Sequence, residues 1–175
     1  MPRATPHATL GCMSSYRQHA HLDAPLRSVW DLVGSPPRYP EWWPRVIEVN
    51  GERFEEGDEY AQVTAAPGRQ ARTNFLIERR DELREVRMSC DLTGAYAHWF
   101  LTEAQGGTFV ELEMGMQPRR ISDSIFDAAL GNRYFRRWSE ESLAALERAA
   151  AGAASSDAGQ DAGSVGPRDE AGDRR

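Results

Sequence analysis

The stretch Ala24 to Val49, APLRSVWDLVGSPPRYPEWWPRVIEV, decides the fold. Pro25 suits the first position of a helix, where the N–H it lacks would have no intrahelical partner. Asp23, two residues earlier, stands where it can help cap that helix. Val29, Trp30 and Val33 form one apolar stripe, with Leu26 and Leu32 beside it. Gly34 is expected to end the helix, and Pro36, Pro37 and Pro40 to keep the next stretch from continuing as regular structure. Trp42, Trp43 and Pro44 then lead into the β-branched run of Val46, Ile47 and Val49. A short helix that delivers two tryptophans to the start of a strand reads as a lid beside a cavity. One indole is expected to pack on the sheet and the other to border the mouth, where a half-exposed aromatic is useful.

The chain has 175 residues and a net charge of −6. That length accommodates one domain plus tails, and residues 14–150 suffice for a substantial core. An acidic balance, with pI near 5.3, argues against a nucleic-acid footprint, which needs a basic face. No apolar run approaches the roughly 18 residues needed to cross a bilayer, and the first residues lack the pattern of a secretory signal. Cys12 and Cys90 make no disulfide framework, so a reducing cytoplasm is the expected location. All 21 basic residues are arginine. Schiff-base chemistry through a lysine is thereby excluded.

Residues 1–13 read as a loose leader, and Met13 is a candidate start. Ser15 to Leu22 alternates, with Tyr16, Gln18, Ala20 and Leu22 on one face and Arg17, His19 and His21 on the other. Glu59 to Ala65 is expected to be a strand. Arg72 to Arg80 places Thr73, Phe75 and Ile77 together, and Asp81-Glu82 is read as a short hairpin connection. Leu83 to Leu92 turns Val86, Met88, Cys90 and Leu92 inward. Ala97, Trp99 and Leu101 share a face of the next strand. Gln105-Gly106-Gly107 is a tight turn with two residues free to take positive φ. Val110, Leu112, Met114 and Met116 then face in, and Glu111 and Glu113 face out. The last element is helical from about Ser122 to Ala150. Ile125, Phe126, Ala129 and Leu130 form one stripe, and Phe135, Trp138, Ser142, Leu146 and Ala149 a second. A break is expected at Gly131-Asn132. Residues 151–175 are small, polar and unpatterned, and read as a disordered tail.

Six or seven strands with one apolar face need a partner layer, and a single long amphipathic helix is the one available. The order of elements resembles the polyketide cyclase/dehydrase-like members of the START/Bet v1-like (SRPBCC) superfamily. The resemblance rests on Ala24-Pro25, Val29-Trp30, Tyr39-Pro40, Trp42 or Trp43 with Pro44, Gly57, and Gly106-Gly107-Thr108, and covers residues 14–150. It implies an α+β helix-grip fold: a curved antiparallel sheet of about seven strands around a long C-terminal helix, with two short helices after the first strand. It also implies a hydrophobic cavity between sheet and helix, in a family that binds lipids, sterols or polyketides and includes a minority of enzymes.

The expected function is binding or transport of a hydrophobic small molecule, lipid or polyketide-like, in that cavity. An aromatase/cyclase or dehydratase acting on a polyketide intermediate is the alternative, and a protein-binding module with a filled cavity is a third. The expected ligand-binding residues are Trp43, Phe75, Ile77, Met88, Trp99, Leu101, Leu112, Met114, Trp138 and Ser142, since methionine and aromatic side chains repack around varied apolar ligands. For any one of them an ordinary core role competes. Catalytic residues are not assigned. Tyr60, Gln62, Asn74, Tyr96 and Tyr134 would turn polar atoms inward if the registers slipped by one residue, which an enolate-handling enzyme would need. His19, His21 and His98 are expected on a solvated outer face without a ligand set, so no metal is expected, nor any cofactor. Arg119, Arg120, Arg133, Arg136 and Arg137 form a basic cluster able to attract an anionic group, or simply a solvated face. The chain is expected to be a monomer or weak dimer, with no nucleic-acid partner and no membrane segment.

Overall fold

In the computed structural model the described residues are 15–66, 68–117 and 132–161. Strand β1, Ser15–Leu22, turns Tyr16, Gln18, Ala20 and Leu22 to the interior and Arg17, His19 and His21 outward, as the alternation implies. Helix α1 covers Leu26–Val33 and buries Val29, Trp30, Leu32 and Val33. A 3₁₀ turn, Pro36–Arg38, and the single-turn helix α2, Tyr39–Trp42, come next. Strands β2 (Val46–Asn50), β3 (Glu59–Ala66), β4 (Arg69–Asp81), β5 (Glu85–Cys90), β6 (Ala95–Ala104) and β7 (Gly107–Met116) precede the long helix α3, Asn132–Asp161.

The strands make one antiparallel sheet in the order β1-β7-β6-β5-β4-β3-β2. A meander from β2 to β7 is closed at its far end by β1, and α3 packs against β1, β7 and α1. Cross-strand registers fix the inner face. Trp99 lies opposite Val86 and Leu112, Ala97 opposite Met88 and Met114, and Phe75 opposite Tyr60 and Cys90. This is the helix-grip arrangement, with two short helices after the first strand.

Several local expectations are corrected. Pro25 flanks α1 rather than opening it, and no side chain caps the helix. Asp23 instead faces His21 at 3.6 Å. The prolines at 36, 37 and 40 do not abolish regular structure. They occupy first-turn positions of the 3₁₀ turn and of α2, where a missing N–H costs nothing. Gly34 ends α1 in ordinary right-handed conformation, and its role is spatial: a Cβ there would lie 2.5 Å from the Trp30 ring. In the β6–β7 turn only Gly106 takes positive φ. At Gly107 a Cβ would sit 1.9 Å from the Leu22 carbonyl oxygen, so the strand edge needs glycine for close approach.

The β4–β5 connection extends through Arg84, with Leu83 at φ 63° and the Arg84 N–H donating to the Asp81 carbonyl. Leu92 falls beyond β5 and is 47% exposed, not inward. A register shift between Ile77 and Arg79 reverses the facing of the rest of β4, because strand side chains alternate with period two. Arg80 therefore turns toward the core side and stacks over Trp30 at 5.2 Å. Helix α3 continues past Ala150 to Asp161. The AGAASSDAGQD segment carries no stripe, but it is rich in alanine and free of proline, so helical propensity extends it. The expected stripe of Ile125, Phe126, Ala129 and Leu130, the break at Gly131, residues 1–13 and residues 162–175 lie outside the described residues.

Candidate functional site

All five tryptophans of the chain are buried, and four form one cluster. Trp42 and Trp43 stack at 5.8 Å and 8°, each meets Trp99 edge-on at 5.7 Å, and Trp43 stacks on Trp138 at 6.1 Å. Tyr39 adds edge contacts to both members of the pair. Neither lid tryptophan is half-exposed, contrary to expectation. Trp42 Nε1 donates to the Leu32 carbonyl at 3.3 Å, and Trp43 Nε1 donates to Ser142 Oγ at 2.8 Å. Ser142 Oγ in turn donates to the Trp138 carbonyl at 2.7 Å. The small residue on α3 thus receives an indole N–H.

The loop leading out of α2 is clamped to α3 from outside. Arg45 holds φ 73°, lies over the Tyr134 and Trp138 rings at 5.1 and 5.8 Å, and pairs with Glu141 at 2.8 Å. Hydrogen bonds from Arg137 and Arg45 keep the Glu141 carboxyl below the usual carboxylate range.

Of the expected ligand-binding residues, Trp43, Trp99, Trp138 and Ser142 come together in this cluster. Leu112 and Leu101 continue it along β7 and β6, and all six are buried. Met114 and Met88 flank Ala97, and Ile77 lies opposite Met88. Phe75 is partly exposed and stacks on Tyr60 at 5.7 Å. The inner face therefore has two halves. The half around Trp99 is sealed by α2 and α3. Toward the Thr64 and Ala71 ends of β3 and β4 it opens, and Thr64, Ala71, Thr73 and Phe75 are only partly buried.

Tyr60 and Gln62 stand at the boundary, 2% and 1% exposed. They face inward in the actual register of β3, with no slip required. Gln62 Nε2 donates to Thr64 Oγ1 at 3.1 Å. Among the described residues, Tyr60 Oη, Gln62 Oε1, Trp99 Nε1 and Arg80 Nε are buried without a hydrogen-bond partner. Each such atom costs about 1–3 kcal/mol, so orphans of this kind call for an explanation. Burial drives the Tyr60 phenol well above its ordinary pKa, with Tyr39 and Cys90 adding to the effect. It is held neutral, able to donate a hydrogen bond. Apolar alternation turns this pair inward only after a one-residue slip, which β3 does not need. The available signal was Tyr60, Gln62 and Thr64 sharing one face of a strand whose other face holds Glu59, Ala61 and Val63.

The other polar candidates lie elsewhere. Asn74 is exposed. Tyr96 is on the outer face, where its hydroxyl donates to Glu113 at 2.7 Å, and burial with that carboxylate pushes it up to about 12. His98 is on the outer face but is not solvated. Its side chain is 12% exposed, and Nε2 lies 2.8 Å from Glu85, which also takes Arg79. Burial and nearby Arg87 lower the His98 pKa. Glu85 is held below the usual range by His98 and Arg79 despite its own burial. Arg133 and Arg136 are exposed, Arg137 pairs with Glu141, and Arg119 and Arg120 lie outside the described residues.

Residues 13–151 match the family model described as polyketide cyclase / dehydrase and lipid transport. The chain belongs to that family. Its fold is shared by CV1439 from Chromobacterium violaceum, at 18% identity over 78% of this chain and 96% of that one, with a TM-score of 0.59. Ara h 8.0201 is similar at 12% identity over 82% and 99%, TM-score 0.62. The di-domain ARO/CYC StfQ from the steffimycin biosynthetic pathway is similar at 17% identity over 84% and 52%, TM-score 0.64. No curated protein matches the chain in sequence. The family and its Bet v1-like fold support handling of an apolar molecule, by binding or by polyketide processing. No helix among the described residues is long and apolar enough to cross a membrane.

Proposed function

We propose that this family member binds an apolar small molecule, lipid or polyketide-like, against the open half of the inner face, and carries or sequesters it. The observation that supports this is the pair of buried, unpartnered polar atoms on Tyr60 and Gln62 among Phe75, Ile77, Met88 and Cys90. Apolar walls with a few oriented polar groups are the usual composition of a small-molecule site. Burial of ligand surface supplies most of the affinity, and the polar groups set the orientation.

Chemistry on a polyketide in the same space is the weaker reading. A general acid works best with a pKa near the operating pH, and Tyr60 is driven away from it. The His98–Glu85 pair has suitable chemistry but occupies the opposite face of the sheet. Native mass spectrometry of the protein purified from its own host, followed by extraction, tests the proposal. A stoichiometric apolar passenger returned intact is the expected result. A passenger altered on incubation would favour an enzyme. A protein that carries nothing and takes up no apolar dye would end the binding reading.

A further inference from the structure

We propose that the ligand is anchored by an uncharged hydroxyl group, which accepts a hydrogen bond from Tyr60 Oη and donates one to Gln62 Oε1. This rests on the binding reading above and narrows it to hydroxylated apolar molecules. Tyr60 and Gln62 are two residues apart on one strand face, about 7 Å along β3, so both side chains reach one ligand group. The Gln62 amide gives one of its two N–H donors to Thr64 and leaves its carbonyl oxygen buried without a partner. Tyr60 has no acceptor for its O–H. A hydroxyl both accepts and donates, and meets both needs at once. A ketone serves Tyr60 alone. A carboxylate serves Tyr60 but sets its oxygens against the lone pairs of Gln62.

Charge points the same way. Around the pair, the inner-facing Thr73, Phe75, Ile77, Met88 and Cys90 are neutral. Arg69 shares this face, but it is exposed at the open end of β4 and lies opposite Ala66, six residues from Tyr60, roughly 20 Å along the strand. Beyond the register shift Arg80 is charged, but it is five residues past Phe75, roughly 16 Å along the strand. Its guanidinium lies over Trp30 and donates to the Gly34 carbonyl. Among the described residues no cation stands directly beside Tyr60, so a buried anion there would lack a close countercharge, which makes its transfer from water unfavourable.

The test uses the full chain in equilibrium dialysis against three probes with one ring system: naphthalene, naphthol and naphthoate, at neutral pH. Naphthol is expected to bind at least tenfold more tightly than either of the others. Tyr60→Phe and Gln62→Met should each remove about tenfold of that affinity and leave naphthalene binding unchanged. Tyr60 Oη has no protein partner to lose and Gln62→Met gives up only the contact to Thr64 within the same strand, so both variants should fold, with circular dichroism as the check. Three probes that bind alike, or naphthoate binding best, would overturn the hydroxyl anchor and leave the binding reading standing. A naphthol preference that survives both substitutions would also remove these two residues from the role. No binding of any probe would take the binding reading down with it.

Discussion

The two halves of the inner face are built from the same sheet, yet they treat polar atoms in opposite ways. Around Trp99, the N–H groups of Trp42 and Trp43 find acceptors on α1 and α3, and only that of Trp99 itself is left over. Toward the ends of β3 and β4 the strands carry Thr64, Thr73 and Gln62 inward, and Tyr60 and Gln62 keep orphan atoms. In the first half the aromatic rings interlock with two helices, which is how a protein maximises its own stability. The second half gives stability up, because each buried orphan is a cost that folding alone never recovers. Natural chains break their local rules chiefly where function asks for it, and the two adjacent departures, Tyr60 and Gln62, fall on the open side, while Trp99 Nε1 and Arg80 Nε stand singly elsewhere.

That contrast is open to attack from each side. The largest effect is expected from Trp99→Ala in the sealed half, which should cost about 3–5 kcal/mol in chemical denaturation, the range for truncating a fully buried aromatic. A loss below about 1 kcal/mol would mean that the cluster is loosely packed and the division into halves unfounded. Tyr60→Phe should act in the opposite direction, raising the stability of the ligand-free protein by up to about 1 kcal/mol, because an orphan hydroxyl is replaced by hydrogen. A marked loss would show that Tyr60 Oη has a structural partner after all.

The smallest effect concerns the outer face and serves as a control. The folded-state pKa of His98 lies below its unfolded value of 6.5, so below pH 6.5 the unfolded chain binds more protons and stability falls as pH falls. His98→Gln should flatten that stretch of the stability profile. The depressed carboxylates Glu85 and Glu113 contribute stability that is lost only at lower pH, through the range below 4.5. A profile unchanged by His98→Gln would mean that His98 titrates freely.

How much of the molecule is readable from its sequence depends on the residue. Strand β7 is legible because Val110, Leu112, Met114 and Met116 alternate with glutamates on a sheet wetted on one side. The closing tryptophan stretch is legible from its prolines and its position, although not the burial of both indoles. Tyr60 and Gln62 are not assigned inward, because hydrophobic patterning has no way to mark a polar residue that faces the core. Arg80 is hidden by the register shift before it, a backbone event without a composition signal. His98 and Glu85 obey the alternation, yet burial of a charged pair on the outer face depends on which long side chains from neighbouring strands lie over it, and that is a tertiary fact.

The near-parallel stacking of Trp42 and Trp43, with Trp99 and Trp138 in contact, has an optical consequence. Transition dipoles this close exchange excitation, so the near-ultraviolet circular dichroism of the chain should carry a split band belonging to the cluster rather than to any single indole. Because Trp138 belongs to α3 and Trp43 to the chain just past α2, that band reports whether the long helix is seated, and the molecule supplies its own spectroscopic gauge of closure.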